Sequence, residues 1–186
     1  MPERSAMQRG LRVSEGALKV TSADPCSPEA IELVQALSQE LARRYDFADD
    51  GSGNFKPEDA LDPRSGFVLG RVNGRAVACG AFRLLEDDVC VIKRVFVAPS
   101  CRGRGYSKAI LAELERLAAG LGYAVARLET ANHQPEAIGL YERAGYRRIP
   151  NFGVYVGSER SVCFEKSLAN QADGVEPGAA EDPPRK

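Results

Sequence analysis

Val97-Ala98-Pro99-Ser100-Cys101-Arg102-Gly103-Arg104-Gly105-Tyr106-Ser107-Lys108 joins an apolar strand to the start of an amphipathic helix. Glycine lets a backbone approach a ligand closely and take turns that other residues resist. The first amides of a helix are donors without intrahelical partners, and the helix dipole adds positive potential at that end. Such a junction is an anion site, strengthened here by Arg102, Arg104 and Lys108, and a diphosphate suits it. Taken alone, the segment also reads as a solvated basic turn. It is not a Walker A loop, because no Gly-Lys-[Ser/Thr] follows at the required spacing. Nor is it a dinucleotide fingerprint, since the glycine order differs and no acidic residue stands about 20 positions on after a strand.

Upstream of the loop the chain alternates between elements. Residues 18–21 read as a short first strand. Ser27 and Pro28 are an N-cap and a first helical position, followed by Ile31, Leu33, Val34, Leu37 and Leu41 at helical spacing to about Tyr45. Residues 46–65 hold Gly51, Gly53, Pro57 and Pro63 and read as a long loop with room for a helical turn. A loop of that length in a compact domain commonly carries function. Residues 67–72 and 76–82 face each other across Asn73-Gly74, a strong hairpin-turn dipeptide. Residues 89–97 form a third, largely β-branched strand ended by Pro99.

Downstream, Ile110, Leu114, Leu117 and Leu121 recur at helical spacing, predicting a helix over 106–119 closed by Gly120 and Gly122. A strand over 124–130, a short helix over 135–144, and strands over 146–149 and 161–166 follow. The class is mixed α/β (α+β). A right-handed crossover through the long helix would set the strands ending at Val97 and starting at Ala124 side by side and parallel.

Both ends read as tails: residues 1–16 lack periodicity, and 169–186 are rich in Ala, Gly, Pro and charge. The domain is expected over 17–168. The 186 residues favour one core over two, and 44% apolar with 27% charged residues is ordinary globular composition. A formal net charge of −1 gives no support to steering toward nucleic acid or an anionic membrane. No apolar run approaches the roughly 18 residues of a membrane span. Five scattered cysteines without a CxxC pair, and a single histidine, His133, argue against a disulfide framework or a metal mechanism. A reduced, cytoplasmic protein is the plain expectation, with a homodimer left open.

Arg102-Gly103-Arg104-Gly105-Tyr106-Ser107 resembles the pyrophosphate loop of the GNAT N-acetyltransferase superfamily: Gln or Arg, two residues, Gly, one residue, Gly or Ala. Ser107 departs from the last position by a small side chain. Gln134-Pro135-Glu136-Ala137-Ile138-Gly139-Leu140-Tyr141-Glu142-Arg143-Ala144-Gly145-Tyr146 resembles the superfamily's second CoA-facing segment, with Gln134, and Asn132 nearby, where Asn is usual. The similarity covers about residues 66–168. It implies a strongly bent, mostly antiparallel mixed sheet, flanked by helices, that splits between two parallel strands. It further implies acetyl-CoA as co-substrate, pantetheine against the backbone of Val95, Phe96 and Val97, and pyrophosphate on the amides from Arg102 to Lys108. Tyr141 is then placed to hold the CoA sulfur and protonate the leaving thiolate.

The chemistry fits those roles. Amine attack on a thioester needs a neutral amine, a polarised carbonyl and a proton for the leaving group. A tyrosine hydroxyl ordinarily titrates near 10 and so remains a donor at neutral pH, although an aromatic at Tyr141 also reads as core packing. For the base, Glu129 is a candidate. Arg127 shares its strand face, so an ordinary ion pair between the two is the competing reading. Glu40 of the first helix is a second acid to consider, against plain helical exposure. Lys93 and Arg94 interrupt an apolar strand, and alternation sets them on opposite faces. Lys93, and Arg83 from the neighbouring strand, could pair with a substrate carboxylate or phosphate, or simply keep the sheet edge soluble. Tyr45 and the following loop could cover the acceptor side. The expected activity is acetyl transfer to a small primary amine; an acyl-CoA-binding regulator and a protein lysine or N-terminal acetylase are the alternatives.

Overall fold

The computed structural model describes residues 16–45 and 56–169. Two segments, 1–15 and 170–186, cover most of the expected tails and lie outside the described residues, as does 46–55 of the long loop. The elements are β1 (Lys19–Ser22), α1 (Pro28–Tyr45), β2 (Gly66–Val72), β3 (Arg75–Glu86), β4 (Val89–Val97), α2 (Tyr106–Gly120), β5 (Val125–Ala131), α3 (Pro135–Arg143), β6 (Arg147–Ile149) and β7 (Ser161–Ser167). Short 3-10 turns lie at Pro57–Ala60, Pro99–Cys101 and Gly153–Tyr155.

The seven strands form one sheet in the order β1-β2-β3-β4-β5-β7-β6. Every neighbouring pair is antiparallel except β4 and β5, which run parallel across the crossover through α2. Asn73 and Gly74 both take positive φ, 51° and 80°, as a two-residue turn between right-twisted strands requires.

Helices cover both faces. On one, Ile110, Leu111, Leu114 and Ala118 of α2 pack with Val68, Phe82, Ile92, Leu128 and Phe164, joined by Tyr141 from α3. On the other, Ala30 and Leu33 of α1 pack with Phe67, Leu69, Cys79, Ala81 and Phe96. Burying a side chain such as Leu114 contributes about 2 kcal/mol. The stripes follow the predicted spacing through Leu33, Val34, Leu37, Ile110, Leu114 and Leu117 and depart from it at Ile31 and Leu121. Ile31 is 37% exposed and Ala30 is buried instead; Leu121 is 43% exposed because the chain has already left α2 there. Ala is small enough to let α1 lie close to the sheet, so apolar size alone did not mark the buried stripe.

Candidate active site

The β4–β5 ladder is short. It runs from Val89↔Val125 to Ile92↔Leu128 and stops. Beyond it β4 continues along β3 alone, while Glu129, Thr130 and Ala131 pair only with β7. The two parallel strands therefore part, and the β5-facing edge of β4 after Ile92 has no ladder partner.

A bulge accompanies the parting. Ala81 pairs with Lys93 and Cys79 with Phe96, so Arg94 and Val95 together oppose Gly80. Arg94 takes a φ of 57°. The extra residue resets the alternation. Ile92 faces α2, Lys93 the opposite side; then Val95 packs on the α2 side and Phe96 on the α1 side. Strict alternation along β4 thus breaks between Lys93 and Phe96, because a bulged pair occupies one register position. Arg94 is 9% exposed and close enough to Lys93 and Tyr155 for its charge to act on both.

The end of β4 leads into the Gly/Arg loop. Gly103 and Gly105 take φ of 76° and 78°, and a Cβ added at either would meet nothing within 4 Å. The loop is an open cradle whose conformation disfavours side chains. Gly105 caps α2 without a side-chain hydrogen bond, and Ala109 is the first amide to bond back to it. The preceding amides of Tyr106, Ser107 and Lys108 are the helix's open donors. These features fit a diphosphate.

The basic side chains divide. Arg102 is engaged: its Nε donates to the Val97 carbonyl at 3.0 Å, its Nη2 meets Glu40 at 2.6 Å, and its guanidinium lies 5.6 Å from the Phe96 ring centre. Arg104 is exposed, as is Lys108, and neither forms an ion pair among the described residues. Glu40 also meets Arg44, at 3.6 Å, so it is a structural partner in this arrangement rather than a free acid.

Across the parting, Gln134 precedes α3 and its Oε1 accepts from Thr130 Oγ1 at 3.3 Å, tying α3 to the end of β5. Tyr141 is 7% exposed, between Tyr146 and Phe164 with ring centres at 5.9 and 6.0 Å. Burial first, and the charge of Glu129 second, push its hydroxyl well above the ordinary tyrosine range. Tyr141 therefore packs in the core and also lies within electrostatic reach of Glu129.

Glu129 does not pair with Arg127. Arg127 is taken by Glu165 at 2.8 Å and Glu86 at 2.6 Å, from the strands and turn flanking it, which removes the ordinary ion-pair reading. Glu129 instead influences Lys93, Tyr141, Tyr155 and Cys163. Lys93 donates from Nζ to the Tyr155 hydroxyl. Burial pulls its ammonium down to about 8, with the Glu129 carboxylate opposing that shift and Arg83 and Arg94 adding to it. Arg83 meets Asp59 of the 3-10 turn at 3.7 Å. Tyr45 ends α1, and its side chain lies outside the described residues.

Tyr155 is the residue sequence reasoning did not single out as part of a site. It stands in the 3-10 turn between Gly153 and Gly157, both with positive φ, and its ring meets Phe152 edge-on at 5.8 Å. The two aromatics Phe152 and Tyr155, set around Gly153 and followed by Gly157, were the available signal. Elsewhere, a cavity of about 560 Å³ lined by Asp24, Phe67, Phe82, Arg116 and Leu121 holds none of the expected site residues.

A family model described as the Acetyltransferase (GNAT) family matches residues 31–146. The "IAA acetyltransferase" of Azospirillum brasilense is 28% identical over 145 residues, covering 77% of this chain and 94% of that protein. A Klebsiella pneumoniae protein proposed to be an acyl-CoA N-acyltransferase superposes with a TM-score of 0.68 at 32% identity, covering 81% of this chain and 97% of that one. The PaiA N-acetyltransferase of Thermoplasma acidophilum, solved with coenzyme A, shares the fold with a TM-score of 0.65 at 12% identity, covering 81% and 99%.

Proposed function

The chain belongs to the GNAT acetyltransferase family, and on that footing we propose that it transfers acetyl from acetyl-CoA to the primary amine of a small molecule. The observation that carries this reading is the parting of β4 and β5 beside an open, glycine-turned helix start. A long thin arm with a diphosphate at one end and a thioester at the other matches both features together. The relative named for acetyl transfer supports acetyl as the acyl group.

In this reading the amides of residues 103–108, with Arg104 and Lys108, hold the diphosphate. The unpaired edge of β4 at Val95, Phe96 and Val97 holds the pantetheine arm, and Gln134 steadies the far wall. Glu129 accepts the proton of the incoming ammonium, directly or through water. The amine nitrogen then forms a bond to the acetyl carbon, the carbon–sulfur bond breaks, and Tyr141 gives its hydroxyl proton to the sulfur. The second proton that the nitrogen sheds on becoming an amide returns to Tyr141 and Glu129 passes its own to water, so the protein ends unchanged. Burial keeps the Tyr141 hydroxyl protonated, so the proton is present when the thiolate forms.

Isothermal titration with acetyl-CoA, followed by thiol release against an amine panel, tests the proposal. Binding with turnover is expected. Absence of binding overturns the cleft as a CoA site, and binding without turnover on any amine favours a regulator on the same fold.

A further inference from the structure

Resting on the acetyltransferase reading, we infer that the acceptor is a free amino acid: a zwitterion whose ammonium meets Glu129 and whose carboxylate meets Lys93. The argument starts from position. Ile92 and Leu128 are the last paired residues of the parallel strands, so Lys93 and Glu129 are the first residue of each strand past the parting. Ile92 and Leu128 both pack on the α2 side, which sends Lys93 and Glu129 to the other face together. One strand thus presents a cation and the other an anion at the same level of the cleft.

The two charges do not neutralise each other by contact. Lys93 turns its Nζ to the Tyr155 hydroxyl, and Glu129 has no ion pair or hydrogen bond among the described residues. Half-buried opposite charges left apart carry a desolvation cost that direct pairing would offset. A ligand with its own opposite charges a few ångströms apart completes both at once. An amine lacking a carboxylate would satisfy Glu129 alone, and a carboxylate lacking an amine could not react. Sign is reinforced on the cationic side, where Arg83 and Arg94 add positive potential at Tyr155. The Tyr155 and Phe152 rings border the same spot and offer an apolar wall for the amino acid's side chain. Glu129 also lies on β5 past the parting, where the strand pairs with β7 and its edge toward β4 is open.

The experiment compares matched acceptors with saturating acetyl-CoA at one pH. The free proteinogenic L-amino acids are assayed by thiol release beside amines that lack only the carboxylate, such as L-phenylalanine with phenethylamine, L-leucine with isoamylamine and L-serine with ethanolamine. For the amino acids that turn over, kcat/KM is expected to exceed that of the matched amine by about 10- to 100-fold, the range of a charge-assisted hydrogen bond. Lys93→Met should collapse that ratio, and Lys93→Arg, which keeps the charge, should retain most of it. Equal or amine-favouring kcat/KM across the pairs overturns the amino-acid inference and leaves the acetyltransferase reading standing. Acetyl-CoA binding with no amino acid acetylated also overturns it. Failure to bind acetyl-CoA at all overturns the underlying reading instead.

Discussion

Under the proposed mechanism Tyr141 has two jobs in this cleft, and a single atom separates them. Its ring fills space between Tyr146 and Phe164, whereas only the hydroxyl can give a proton to a leaving thiolate. Tyr141→Phe keeps the ring, so kcat should fall by about 10²-fold or more, while acetyl-CoA affinity by titration calorimetry stays close to that of the native protein. Unchanged turnover would reduce Tyr141 to packing. Lys93 carries the opposite kind of tension, between function and stability. Its ammonium titrates at about 8 in the folded protein against 10.5 ordinarily, chiefly through burial. Between those values the unfolded chain holds a proton that the native state has released, so stability rises with pH through that window. Below about 8 the native state bears the full cost of the buried charge. Lys93→Met should therefore raise stability at pH 6.5 by about 1–3 kcal/mol, after allowing for the lost bond to Tyr155, and the gain should vanish near pH 10.5. Urea unfolding of both proteins at the two pH values checks the sign. A variant less stable at pH 6.5 means the ammonium is better compensated than its burial implies.

At the scale of elements, the loop before α2 separates anchoring, seen at Arg102, from the binding proposed for Arg104. Arg102 clamps the end of β4 to α1 through the Val97 carbonyl and Glu40, while Arg104 reaches none of these. Arg102→Ala should lower stability by about 1–2 kcal/mol, and Arg104→Ala should leave the melting temperature nearly unchanged yet weaken acetyl-CoA about 10-fold or more. The reverse ranking in melts and titrations would exchange the two roles. The hairpin at Asn73-Gly74, the parallel crossover and the bounds of β4 were all legible in the sequence, because turn chemistry and β-branched runs are local signals. The bulge at Arg94 was not. A two-for-one register step leaves no mark in a Lys-Arg-Val run, and only the pairs on either side of Gly80 define it. Glu129 was correctly placed on a face, but its partner was misread, since Arg127 is captured by Glu165 from β7 and Glu86 from the β3 end. Those neighbours are distant in sequence. Tyr155 escaped for a related reason: its segment has no periodicity, and its importance comes from Lys93, 62 positions away.

Taken whole, the molecule couples its two binding walls through one helix. α2 supplies the open amides at its start, which the proposed function assigns to the diphosphate, and the apolar residues that seat the sheet along its length. The seat is tightest at Gly80, opposite the bulge, where an added Cβ would lie 2.7 Å from Leu114 Cδ1 and 2.8 Å from Ile110 Cγ2. Those side chains are fully buried and have nowhere open to swing. Gly80→Ala must therefore push α2 away from β3 or displace the bulged residues on β4. Overpacking of this kind costs about 1–3 kcal/mol. If the loop holds the diphosphate and the strand edge the arm, as proposed, its functional effect should exceed its effect on stability, because the push acts between the two. Acetyl-CoA affinity is expected to drop at least 10-fold in protein that still unfolds in one cooperative step, a loss of about 1.4 kcal/mol. A control substitution in the same core, Leu111→Ala, should destabilise by about 2–5 kcal/mol and leave affinity in the still-folded protein nearer the native value. It removes atoms beside the seat without wedging α2 from the sheet. If both variants lose affinity in proportion to stability, the seat at Gly80 is ordinary core, and the cleft is positioned by the loop and strand alone.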